Sequence, residues 1–131
     1  MLGVMSIQEF FAQLYSHADV TYDPASAGRQ MNAHFASRNL YPNDTWRAQT
    51  KMYNTASDIS PTAAQMPRAV GLAYASVAYR NLKELQDQKD YSINGNEITF
   101  ATIGNASSAE GLFWESVNAI GVLKAPAIIT I

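Results

Sequence analysis

Residue types and spacing come closest to chemistry in this 131-residue chain at Gly104-Asn105-Ala106-Ser107. An apolar run from Ile98 to Ile103 ends at Gly104, and a helix-like segment follows. A glycine at that point permits a sharp exit that a side chain would obstruct. Asn105 puts a carbonyl and an amide at the C-terminal end of the strand, where open α/β sheets bind ligands. Ser107 and Glu110 are spaced as a capping box, so a helix is expected to begin there. Free N–H groups from Ala106 to Ser108 suit a phosphate. The Asn105 oxygen could complete the shell of a Mg²⁺ carrying that phosphate. A capped strand-to-helix turn without a ligand uses the same residues. Neither G-x-G-x-x-G nor G-x-x-x-x-G-K-[ST] occurs, so the dinucleotide and P-loop fingerprints are absent.

Two further stretches carry polar groups that could act together. Gly28-Arg29-Gln30-Met31-Asn32-Ala33-His34-Phe35 concentrates a guanidinium, amides and an imidazole. It reads either as a wall of a polar pocket, with His34 carrying or orienting a proton, or as a turn whose Arg29 and His34 satisfy local carbonyls. Asp58 to Gln65, with Ser60, Pro61 and Thr62, is polar and proline-fixed at a helix entry. Unpaired N–H groups and a positive dipole end are found at such entries, and so are ordinary helix starts.

The elements that must position these residues follow from pattern. Ser6 with Glu9 completes a capping box for a helix expected to run to about His17, with His17 complementing the dipole at its end. From Asp19 to Pro67 no period survives, yet Met31, Phe35, Leu40, Tyr41, Trp46, Met52 and Tyr53 are too apolar for a solvated linker. Burial, in this chain or against another subunit, is expected for them. Pro67 is placed at a first helical position. The helix after it has small residues at Gly71, Ala73, Ala75, Ser76 and Ala78, and an apolar stripe at Val70, Ala73, Tyr74, Val77 and Leu85. Asn94-Gly95 signals a hairpin or tight turn. Ile98–Ile103, the helix, and the apolar run after Pro126 then form a strand–helix–strand unit, so the fold class is α/β with a mostly parallel sheet.

Length allows one domain over residues 1–131. The apolar fraction of 47% is globular, and no window approaches the roughly 20 apolar residues of a membrane span. Net charge is -2 with no basic stripe, which argues against nucleic acid. There are no cysteines, which removes disulfides, thiolate ligands and a cysteine nucleophile. A cytoplasmic location fits.

Three stretches, in order, resemble the thiamine-diphosphate-dependent 2-oxoacid dehydrogenases. Gly104-Asn105-Ala106-Ser107-Ser108-Ala109-Glu110-Gly111, then Glu115, Asn118 and Lys124-Ala125-Pro126, is similar to the family's G-D-G-A-x-S-E-G, E-x-x-N and proline-led strand. Gln65 to Ala75 is similar to its Q-x-P-x-A-x-G-x-A-x-A helix, and Gly28-Arg29-Gln30-Met31 with His34 to its G-R-Q-M-x-x-H loop. The part resembled is the α-type region of the decarboxylating first component, branched-chain or pyruvate type. The resemblance implies a partial thiamine-diphosphate-binding fold with flanking helices. It implies that Gly104, Asn105, Ala106 and Ser107 hold the diphosphate of thiamine diphosphate and its Mg²⁺, with Asn105 as metal ligand. Ser60 and Thr62 would contact the cofactor's rings, and His34 would lie near its reactive end.

The chain departs from the family pattern in three places. Asn105 stands for the usual acidic ligand, Ala106 for the middle glycine, and Thr62 for a larger aliphatic residue. The family's asparagine pair would begin about two residues after Ile131, and its phosphate-gripping tyrosine-arginine pair would precede Met1. The resemblance therefore implies a fragment whose isolated activity is doubtful. The implied partners are a 2-oxoacid, a β-type region of the same enzyme, a lipoyl-bearing acyltransferase and further copies in a homo- or hetero-oligomer. The alternative is a non-catalytic α/β assembly domain that keeps the fold without the cofactor.

Overall fold

The computed structural model describes residues 5–31, 34, 36–56 and 59–131. They fall into two compact units, residues 1–58 and 59–131. Phe35, Asn32, Ala33 and Asp58, each named above, lie outside the described residues.

Unit 1 opens with helix α1, Ile7–Leu14. The expected capping box is formed: Glu9 N donates to Ser6 Oγ at 3.1 Å, and Ser6 N donates to Glu9 Oε2 at 2.6 Å. The Ser6 main-chain N–H first, and the Ser6 side chain after it, hold the Glu9 carboxyl below its usual range. The helix stops at Leu14, three residues before His17, because Ser16 turns left-handed at φ 54°. His17 closes the helix end through its main chain, its N donating to Ala12 O at 2.8 Å. Its Nδ1 accepts from Asp19 N at 3.3 Å, and its ring lies 4.8 Å from that of Tyr22.

The other described residues of unit 1 are turns and irregular segments, in keeping with the broken pattern. One 3-10 turn spans Gln49–Lys51, and Leu40 and Trp46 form an isolated antiparallel bridge. Arg47 lies over the Tyr41 ring there, 5.0 Å from its centroid. The apolar side chains expected to be covered are mostly not: Met31, Tyr41, Trp46 and Tyr53 are exposed, while Leu40 and Met52 are half-buried.

Unit 2 is an α/β unit. Helix α2, Gln65–Asn81, is followed by strand β1, Thr99–Thr102, helix α3, Gly111–Leu123, and strand β2, Ala127–Thr130. The strands pair in parallel, with Thr99 opposite Ala127 and Thr102 opposite Thr130. This is the expected strand–helix–strand unit, with a sheet of two strands.

Helix α2 differs from expectation in two ways. It begins at Gln65, so Pro67 sits inside the first turn, where a missing N–H still costs no helical bond. Its buried face is Met66, Ala69, Ala73 and Ser76, while Tyr74 is exposed. Ala69, Ala73 and Ser76 form a thin surface, and α2 packs on α3 and β1. A close approach through small side chains displaced the wider stripe that hydrophobicity alone would select.

Asn94 and Gly95, at φ 56° and 70°, make the tight turn their sequence signals, closed by Asn96 N donating to Ile93 O at 3.1 Å. Gly95 is obligatory, since a Cβ would lie 2.2 Å from Ser76 O. Ser76 Oγ and Arg80 Nη2 donate to the carbonyls of Glu97 and Gly95, which ties this turn to α2 and sets where β1 begins.

Candidate functional site

The C-terminal end of β1 is where unit 2 gathers polar groups. Ala63, Met66, Ile103 and Phe113 form one buried cluster, with Ala101, Val117 and Ile129 packed against it. Ala63 follows Thr62, Ile103 precedes Gly104, and Phe113 lies in the first turn of α3. The entries of α2 and α3 therefore meet at one end of the sheet. Gln65 Nε2 adds a bond to Thr102 O at 3.4 Å. Ser60 and Thr62, both exposed, are thus brought to the same end as Gly104–Ser107. The link runs through Ala63, held left-handed at φ 63°. That conformation costs an alanine roughly 1 kcal/mol and redirects the chain into α2.

The turn itself is a 3-10 turn, Ala106–Ala109, rather than the start of the helix. Ser107 does not cap α3. Glu110 occupies the N-cap position without a side-chain bond. Ser108 closes the turn, its N donating to Gly104 O and Asn105 O at 3.2 Å each and its Oγ to Asn105 O at 2.6 Å. The N–H groups of Asn105, Ala106 and Ser107 find no acceptor among the described residues, and neither does the Asn105 amide. Three unused main-chain donors beside the Asn105 amide are groups that could take an anion.

Gly104 was expected to permit an exit that a side chain would obstruct. The chain does not require it: a Cβ there would meet only Ser107 Oγ, at 3.7 Å, which is ordinary contact. The bare backbone leaves room for something outside the chain.

The donor set therefore suits a diphosphate. For a cation, the Asn105 side chain supplies one neutral oxygen, Oδ1, and no cluster of three or more His, Cys, Asp or Glu occurs among the described residues.

His34 belongs to unit 1 and is half-buried. Its carbonyl accepts from Gln13 Nε2 at 3.3 Å, and its N donates to Met31 O at 3.2 Å. Arg29 Nε donates to Ser26 O at 2.9 Å, so that side chain does satisfy a local carbonyl. A hollow of about 350 Å³ between Arg38 and Trp46 includes none of the candidate residues.

The protein-family model described as dehydrogenase E1 component matches residues 1–131. This chain belongs to the dehydrogenase E1 component family. The E1 chain is 30% identical over 123 residues to the 2-oxoisovalerate dehydrogenase subunit alpha, mitochondrial, of Caenorhabditis elegans, covering 94% of this chain and 22% of the relative. It is 32% identical over 106 residues to the 2-oxoisovalerate dehydrogenase subunit alpha of Bacillus subtilis (strain 168), covering 81% of this chain and 24% of the relative. The E1 chain thus spans less than a quarter of the length of these relatives. No solved structure matches. No helix among the described residues is long and apolar enough to cross a membrane.

Sequence reasoning missed Asp23, whose carboxylate is buried in unit 1. Its signal was present: Asp followed by Pro, then Ser and Gly three and five residues on, is a turn in which the aspartate accepts from the main chain. Gln13 was also missed. A glutamine on a helix face carries no such signal.

Proposed function

We propose that this E1 chain is the diphosphate-holding part of a thiamine-diphosphate-dependent 2-oxoacid dehydrogenase of branched-chain type, carrying part of the family's cofactor-binding fold. The observation that carries the reading is the Gly104–Ser107 turn, with three unused N–H groups at the C-terminal end of a parallel strand. The N–H groups of Asn105, Ala106 and Ser107 would bind the diphosphate, and the start of α3 adds its positive dipole end. Asn105 Oδ1 would coordinate Mg²⁺ as a neutral ligand. Ser60 and Thr62 would contact the cofactor's rings from the entry of α2. His34 would orient or carry a proton near the reactive end.

Thiamine diphosphate supplies the electron sink that lets a 2-oxoacid lose CO₂. The residues of this chain anchor and orient, and none needs to act as a covalent nucleophile. A β-type region of the same enzyme would complete the site, and a lipoyl-bearing acyltransferase would receive the acyl group. An oligomer in the cytoplasm suits that assembly.

The test uses the full-length parent enzyme, with thiamine diphosphate binding measured by calorimetry in Mg²⁺ and decarboxylation of branched-chain 2-oxoacids and pyruvate assayed alongside. Gly104→Ala should leave the thermal midpoint unchanged, because the chain has room for the Cβ. Cofactor affinity should fall about tenfold, the worth of roughly one hydrogen bond to a charged group. Asn105→Asp should tighten Mg²⁺-dependent binding by adding a charged ligand. Unchanged affinity in both variants, with no decarboxylation of any of these acids, would sink the reading.

A further inference from the structure

Every buried side chain among the described residues of unit 1 is polar: Gln13, Asp23 and Ser26. Gln13 and Asp23 are each 1% exposed. Among its described residues this region buries an amide and a carboxylate and no large apolar side chain, so directional bonds rather than packing specify it.

Those bonds converge on one loop. Asp23 Oδ2 accepts from Gly28 N and from Ser26 Oγ, both at 2.8 Å, while Oδ1 accepts from Ser26 N at 3.2 Å. Ser26 Oγ in turn accepts from Gln30 N at 3.2 Å, so the grip of Asp23 reaches Gln30 through one hydroxyl. Gly28 is held at φ 76°, and a Cβ there would lie 2.5 Å from Ser16 O. Burial pushes the Asp23 carboxyl up, but the donors from Gly28, Ser26 and Ala25 outweigh it and leave the group below its usual range. At the other end, Gln13 Nε2 reaches from α1 to His34 O, 21 residues away.

We infer that Gln13 and Asp23 are positioning residues, Asp23 holding Gly28 and Gln30 and Gln13 holding the His34 main chain, and that together they set where His34 stands. The inference deepens, and rests on, the proposed role of His34. Misplacing a reacting group by an ångström costs on the order of a hundredfold in rate, so a main-chain clamp at each end of such a loop has a kinetic use beyond stability. Neither side chain needs to touch substrate.

The experiment compares Asp23→Asn, Gln13→Met and His34→Ala in the full-length parent enzyme. Asp23→Asn turns an acceptor into an NH₂ facing Gly28 N–H, and Gln13→Met keeps the bulk and removes the donor. Each should lower kcat by roughly 10- to 100-fold, with KM for the 2-oxoacid nearly unchanged, and Asp23→Asn should also lower the thermal midpoint. Hydrogen exchange at the Gly28 and Gln30 amides should accelerate in Asp23→Asn. If that variant does not fold, Ser26→Ala removes the same relay to Gln30 and carries the test. A lowered kcat in His34→Ala with kcat unchanged in the two clamp variants would overturn the inference while leaving the role of His34 standing. A silent His34→Ala would instead sink the role of His34. The clamp would then be judged by exchange alone, with unchanged rates at Gly28 and Gln30 overturning it.

Discussion

The two units of this chain bury opposite kinds of side chain. In unit 2 the enclosed residues are mainly apolar, with Met66 at 0% and Phe113 at 4% exposure where α2, β1 and α3 meet. In unit 1 the enclosed side chains among the described residues are Gln13, Asp23 and Ser26, while Phe11, Leu14, Tyr15 and Trp46 are exposed. Apolar burial is non-directional and tolerates small shifts. A buried carboxylate that accepts several hydrogen bonds fixes its donors within a few tenths of an ångström and is costly to leave half-satisfied. Unit 2 therefore behaves as a scaffold that brings two helix entries to one strand end. Unit 1 behaves as a holder for one loop.

That contrast is sharpened most by truncating one apolar side chain in each unit. Met66→Ala should destabilise unit 2 by about 2–5 kcal/mol, the usual range for a buried methionine. Leu14→Ala, at a side chain already 45% exposed, should cost less than about 1 kcal/mol. Denaturant unfolding and hydrogen exchange over residues 59–131 read the first, and exchange across α1 reads the second. Equal losses would show that unit 1 leans on apolar burial after all and would break the comparison.

The same difference explains what could be read before the structure. The strand–helix–strand order, the Ser6–Glu9 capping box and the Asn94-Gly95 turn are local devices that short stretches of sequence specify fully. The packing face of α2 was not legible, because whether Tyr74 or the small residues Ala69 and Ser76 face inward depends on how closely α3 approaches. The turn at Gly104–Ser107 was legible in its residues and less so in its geometry. Ser107 and Glu110 have capping-box spacing, yet Ser107 lies in a 3-10 turn and Glu110 becomes the N-cap of α3, which starts at Gly111. In unit 1 the Gly28–His34 stretch was recognised as polar. The hand that holds it, Gln13 on a helix 21 residues away, is a tertiary fact with no local signature.

Acid provides a second and smaller contrast. The Asp23 carboxyl lies below its usual range in the folded chain, with burial raising it and the Gly28, Ser26 and Ala25 donors lowering it further. Its ionised form is the one the fold favours. The stability it supplies is complete above the unfolded carboxylate value, near pH 4, and is lost as pH falls through the lower folded value. Asp19 follows the same sign through its bonds from Thr21. In unit 2, Glu97 does so as well, raised by burial and lowered more by Ile93 N and Ser92 Oγ. The apolar cluster around Met66 contains no carboxylate. Between pH 6 and pH 3, protection relative to the intrinsic exchange rate at each pH should therefore fall at the Gly28 and Gln30 amides before it does at Met66 and Phe113. Simultaneous loss would mean that the Asp23 turn does not depend on its charge.

The smallest expected effect lies at the exit of α3. Lys124 takes the left-handed position at φ 50°, with Lys124 N donating to Gly121 O at 3.3 Å and Ala125 N to Ile120 O at 3.0 Å. These two bonds close the helix in the arrangement that normally ends on glycine. A lysine there carries the strain of a Cβ in a left-handed residue, worth about 1 kcal/mol. Lys124 is exposed and Ala125 beside it is buried, so the helix end is already anchored by its neighbour. Lys124→Gly should accordingly raise the stability of unit 2 by about 0.5–1 kcal/mol, read as a higher denaturation midpoint with an unchanged slope. A lowered midpoint would show that the lysine stabilises the last carbonyls of α3 by more than its backbone strain costs. The register of β2, which starts three residues later at Ala127, would then depend on that charge.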